Sequence, residues 1–208
     1  MGARENALRL ALSASGYGVA PPDSKLLLGS VYANEIIRVF EALGGKSGSS
    51  FRPSTWDMVA GDFAIELDEQ LHFNRFRLVT LDSPIYRKLP EFALESYRQY
   101  CRDNESDCLK AGGFGGKWSN PSTEKMFGQS SPLKQIDGAG PSRWKQRAFY
   151  DFLKDVWQLV GNVTLVRFSV WERVSDGGRA ITLGQALDGR GPLPNAYLRS
   201  RLVSARSK

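Results

Sequence analysis

Five acids and a histidine stand close together in the segment Trp56-Asp57-Met58-Val59-Ala60-Gly61-Asp62-Phe63-Ala64-Ile65-Glu66-Leu67-Asp68-Glu69-Gln70-Leu71-His72-Phe73. With the two-residue period of a strand, Phe63, Ile65 and Leu67 share one face, and Asp62, Ala64, Glu66 and Asp68 share the other. Carboxylates gathered on one face repel unless a cation, a shared proton or solvent relieves them. A hard dication such as Mg²⁺, or Mn²⁺ in its place, takes an oxygen-rich set of this kind and keeps waters for chemistry. Asp57, Glu66 and Asp68 are therefore the candidate metal ligands. The step from Asp57 to Glu66 suits a tight hairpin that brings both acids to one end of adjacent strands. Asp62 competes with Asp57 for the first position, because it shares the strand face of Glu66. The purely structural reading is an edge strand whose solvent face carries charge against aggregation.

The elements that must position these residues can be read along the 208-residue chain. Short helices are expected over 3–14 and, with Val31, Ile36, Val39, Phe40 and Leu43 near one stripe, over 31–43. Strands follow over 56–60, 62–68 and 75–81, then a helix from Pro90 to about Asp103. Asn74, Arg75 and Arg77 read as the polar edge of the third strand. Residues 110–141 are rich in Gly, Ser, Pro and Lys and read as a long excursion of loops, a feature that is often functional. Pro141-Ser142 opens a helix with Ser142 as N-cap. Phe149, Phe152, Leu153, Val156, Trp157 and Val160 recur along its buried face, and it ends at Gly161. A β-branched strand over 163–170, a turn at Asp176-Gly177-Gly178, a short helix over 183–187 and a basic tail complete the chain. The expected class is α/β, a single domain with a mixed central sheet flanked by helices. Its parts are a helical region over 1–50, a core over 55–81 and 141–170, the basic excursion over 108–141 and a basic extension over 171–208.

Composition narrows the function classes. Lys and Arg number 28 against 22 Asp and Glu, and the segment from Leu109 to Arg147 is especially basic. Lys117, Lys125, Lys134, Arg143 and Arg147 lie in it and are the candidate nucleic-acid contacts, a partner suited to clustered cations. The same charge also reads as a solvated surface. Phe114, Trp118 and Phe127, set among the lysines, either stack on bases or pin the loop as a satellite core. One histidine and two cysteines leave a Cys/His zinc site incomplete without carboxylates, and argue against a disulfide scaffold. No apolar run reaches transmembrane length and no signal-peptide pattern is visible, so no membrane partner and a cytoplasmic location are expected.

Set in order, these residues resemble the PD-(D/E)xK nuclease superfamily, in its very-short-patch-repair-like endonuclease branch. The matching features are Asp57, then Ile65-Glu66-Leu67-Asp68 with His72, the helix from Arg143 to Gly161, and the strand Leu165-Val166-Arg167-Phe168. The resemblance covers residues 55–81 and 141–170. It implies a restriction-endonuclease-like fold and Mg²⁺-dependent (or Mn²⁺-dependent) hydrolysis of nucleic-acid phosphodiesters, DNA more than RNA, with a homodimer compatible. Asp57, Glu66 and Asp68 would hold the metal, and His72 would serve as general acid or phosphate contact. The departure is the lysine: the position two after Glu66 is Asp68. A following helix supplies the missing group in some members, which points to Lys145 first and then to Gln146, whose spacing to Tyr150 resembles a motif of the RecB-like branch. The missing lysine also supports an alternative, a catalytically degenerate nuclease fold that binds nucleic acid or a partner without cleaving.

Overall fold

Gly61 reverses the chain at the acidic segment. In the computed structural model, which describes residues 2–14, 18–176, 179–193 and 195–206, Met58–Ala60 (β1) and Phe63–Asp68 (β2) pair antiparallel, with Ala60 opposite Phe63. The loop is thus only Gly61-Asp62, and Gly61 takes a φ of 59°, the left-handed value for which such loops select glycine. Thr164–Ser169 (β3) lies parallel to β2 on its other side, with Glu66 opposite Arg167 and Asp68 opposite Ser169. β2 is therefore the centre of a three-stranded mixed sheet, and all six of its residues are buried. This overturns the expectation of a solvated edge strand: both edges are hydrogen-bonded and both faces covered. Asp62 falls in the exposed turn, outside the strand.

The remaining strands, Arg173–Asp176 (β4) and Arg179–Thr182 (β5), form a second, antiparallel sheet. The Gly177-Gly178 part of the expected turn lies outside the described residues, as does Lys208 of the basic tail. In chain order the helices are α1 (Ala3–Ala11), α2 (Ser24–Leu28), α3 (Ala33–Ala42), α4 (Arg75–Leu81) and α5 (Leu94–Asp103). They continue with α6 (Glu105–Gly112), α7 (Pro121–Phe127), α8 (Ser142–Val160), α9 (Leu183–Leu187) and α10 (Asn195–Arg206). The chain clusters into two compact units: Met1–Pro21, Thr55–Glu69 and Gly161–Lys208 hold both sheets with α1, α9 and α10, and Pro22–Ser54 with Gln70–Val160 hold α2 to α8. The class is mixed α/β, with small sheets and many helices. None of the described helices is long and apolar enough to cross a membrane.

Several expected elements are corrected, each for a local reason. Residues 75–81 form a helix and not a third strand, because Asn74 Oδ1 accepts from the backbone N–H of Phe76 and Arg77 and starts the turn. Arg77, Thr80 and Leu81 are then buried at helical spacing, and Asn74 and Arg77 are each only 1 % exposed where a solvated edge was expected. The excursion over 110–141 is not structureless. It contains the end of α6 and the whole of α7, whose Asn120-Pro121 start caps Thr123. The helix expected from Val31 starts at Ala33, since Ser30 Oγ accepts from Tyr32 N and holds a turn there, which leaves Val31 exposed. The first helix ends at Ala11, the helix expected from Pro90 starts at Leu94, Ser142 is already inside α8 and the basic tail is helical.

The helical unit has an aromatic core. Phe40 packs on Phe51, Phe127 and Phe149 with ring centroids 4.8 to 5.2 Å apart, and Trp118 meets Trp144 edge-on beside Cys108. Arg77 and Asp155 form a buried ion pair in this unit. Arg77 Nη2 donates to Asp155 Oδ2 at 2.8 Å, and Tyr86 hydroxyl donates to the same oxygen at 2.8 Å. Truncating one partner of such a pair leaves an uncompensated charge. Arg77→Ala should therefore lower unfolding stability by about 3–5 kcal/mol, read as a lower midpoint in urea denaturation.

Candidate metal centre

The hairpin locks its two acids together. Asp57 N–H donates to Glu66 Oε1 at 3.2 Å, and Asp57 Oδ2 accepts from Leu67 N–H at 2.9 Å. The two carboxylates thus continue the ladder one step beyond Met58 and Ile65, the last backbone pair. Two residues on, Asp68 shares the strand face of Glu66 and is 1 % exposed. Arg167, from β3, donates through Nη1 to both Asp68 oxygens, at 2.8 and 3.1 Å. Arg167 is held in turn from α10, where Arg201 Nη2 donates to its carbonyl oxygen at 2.8 Å.

His72 closes a short 3₁₀ turn, Gln70–His72, and Asn74 fastens that turn. Besides capping α4, Asn74 donates through Nδ2 to the Leu71 carbonyl at 3.1 Å and to Cys108 Sγ at 3.6 Å. Phe73, fully buried, packs on Tyr97 and Tyr100. The imidazole is oriented by α8: His72 Nδ1 lies 2.8 Å from Asp151 Oδ2, and the Asp151 side chain is 5 % exposed. A carboxylate against Nδ1 holds the ring's orientation.

Asp68, His72 and Asp151 each offer one ligand atom, and these atoms lie within 4.8 Å of one another. This Asp-His-Asp group, two members buried and the histidine half-buried, could hold a metal ion. Of the expected ligands, only Asp68 belongs to it, and His72, expected as an acid or phosphate contact, joins it as a candidate ligand. Asp57 and Glu66 lie beside each other at the strand ends, where they hold backbone N–H groups. Glu69 sits 3.7 Å from Arg4. Asp151 was not among the residues expected from sequence; the signal for it is an acid embedded in the buried stretch of α8, next to Phe152 and Leu153. Arg167 was legible only as part of a strand motif.

The helix candidates go elsewhere within the helical unit. Lys145 Nζ lies 5.6 Å over the Phe76 ring, six residues from Asp151 or about 9 Å along the helix axis. Gln146 accepts from Arg143 and donates to Met126 Sδ at 3.3 Å, and the Tyr150 hydroxyl reaches the same sulfur at 3.7 Å. The Gln-x-x-x-Tyr pair therefore converges on α7. Lys117, Lys125 and Lys134 are exposed, whereas Arg143 and Arg147 are half-buried on α8. Burial pushes the Lys145 ammonium below the ordinary lysine value of 10.5. The unfolded chain then holds that proton more tightly, so the charge costs stability at neutral pH, and the cost fades as pH rises towards 10.5. Lys145→Met should raise the denaturation midpoint at pH 7, with a gain over wild type that shrinks on going to alkaline pH.

No curated protein and no solved structure matches the chain. A family model described as Family of unknown function (DUF7255) matches residues 38–189, a span that takes in the acidic hairpin, the His72 turn, α8 and β3. The chain belongs to that family, DUF7255.

Proposed function

We propose that the protein is a metal-dependent endonuclease on a restriction-endonuclease-like core, acting on DNA in preference to RNA. The observation that carries this reading is the Asp68, His72 and Asp151 group, whose ligand atoms lie within 4.8 Å of one another. Support comes from topology. An acidic hairpin is followed, after a helix, by the Val166-Arg167-Phe168 strand lying parallel against it, the order that the nuclease resemblance implies.

Asp68, His72 and Asp151 would hold the dication, and the imidazole among the ligands moves the preference from Mg²⁺ towards Mn²⁺. When bound, the metal supplies Lewis-acid polarisation of a phosphate and a lowered pKa for water. The chain's own residues do the positioning. Asn74 fixes the turn that carries His72. Arg167 is the cation touching Asp68, and takes the charge-balancing place for which the resemblance looks to a lysine. Asp57 and Glu66 keep the strand ends in register.

A second reading, a nuclease fold that binds without cleaving, is favoured by the same arginine. With both oxygens of Asp68 engaged, its charge is balanced with no metal at all. A nicking assay with Mn²⁺ on circular single-stranded DNA and on plasmid separates the two. Wild type should nick, Asp68→Asn and His72→Gln should lose activity by about 100-fold or more, and Asp57→Asn should keep it. In parallel, Mn²⁺ should raise the melting midpoint of wild type and leave that of Asp68→Asn unmoved. Mn²⁺ that neither binds nor supports nicking defeats the endonuclease reading in favour of the binding one.

A further inference from the structure

The loop between α6 and α7 carries an aromatic ring that the core does not use. Trp118 and Phe127 are 2 % and 5 % exposed, but Phe114 is 52 % exposed and is the one aromatic among the exposed large hydrophobic side chains of the described residues. One lysine lies against it and another beside its loop. Lys117 Nζ sits 5.0 Å from the Phe114 ring centroid. Lys134 Cγ lies 3.2 Å from where a Cβ on Gly113 would be, which brings the exposed Leu133 and Lys134 beside the loop. Lys134 holds a φ of 68°, a left-handed conformation that costs a lysine energy and keeps it turned at this spot. The two residues that follow in the loop leave open space: a Cβ at Gly115 or Gly116 would meet nothing within 4 Å. The nearby acids are already engaged, Asp107 by Lys110 and Asp137 by Arg75, each at 2.8 Å.

We propose that Phe114, with Lys117 and Lys134, is a stacking platform for single-stranded nucleic acid. An exposed apolar ring with one lysine against it and a second beside its loop fits a strand whose bases are unstacked and whose phosphates run alongside, because every base has a π-face and every linkage a charge. A duplex hides its bases and offers the ring nothing. The inference deepens the nuclease reading and rests on it, since it names the strand state of the substrate.

Fluorescence polarisation with labelled oligothymidylate, oligouridylate and a duplex tests it, with EDTA present so that no cleavage is read. Wild type should bind either single strand more tightly than duplex. Phe114→Ala should weaken single-strand binding about tenfold, Phe114→Trp should restore it, and Lys117→Ala with Lys134→Ala should flatten the salt dependence. Phe114 is exposed, so its variants should keep the wild-type melting midpoint. Unchanged single-strand affinity in Phe114→Ala, or tighter binding to duplex, overturns the platform. The two ideas fail separately: nicking needs Mn²⁺ and this binding does not, so a failed platform leaves the nicking result standing.

Discussion

A carboxylate taken out of water must find a partner, and β2 takes two out at once. Glu66 and Asp68 occupy a strand hydrogen-bonded along both edges and covered on both faces, where an unbalanced charge costs several kcal/mol. Much of the local architecture answers that demand. The backbone N–H of Asp57 meets Glu66, Arg167 comes from the neighbouring strand to Asp68, and Arg201 steadies Arg167 through its carbonyl oxygen. The helical unit obeys the same rule with different residues, pairing Arg77 with Asp155 and His72 with Asp151.

The feature that suggests chemistry is that such pairing has been arranged around acids at all. A hydrophobic strand would fill the same space at lower cost. Retaining Asp68 beside His72 and Asp151 keeps oxygen and nitrogen donors within one coordination sphere of each other. Asn74 shows how tightly that arrangement is built: one side chain starts α4, ties down the turn that carries His72 and touches Cys108. Burial pushes the Cys108 thiol up to about 12, so it serves there as packing and not as a nucleophile.

Where side-chain pattern dominates, the sequence was informative. The hairpin, the β-branched strand β3 and the apolar stripe of α8 were legible because apolar periodicity fixed their type, while the short helix α9 was expected on a weaker signal. The failures share a cause, which is that polar residues acting locally outweighed periodicity. Arg75 to Leu81 alternates like a strand, yet one cap from Asn74 makes it a helix. In α7 a seven-residue helix gets its start from Asn120 and Pro121, with too few apolar positions to show a period. Asp68 and His72 stood out within the candidate site. Asp151 did not, since its meaning comes from a histidine 79 residues earlier in the chain.

The parallel pairing of β2 with β3 carries a kinetic corollary. Asp68 and Arg167 are 99 residues apart, so the guanidinium that balances this acid is synthesised long after it. During that interval the nascent strand has only its hairpin partner, and closing so long a loop is entropically slow. Until β3 docks, the unpartnered edge of β2 is open to water, and its two carboxylates keep that edge hydrated and poor at recruiting other chains.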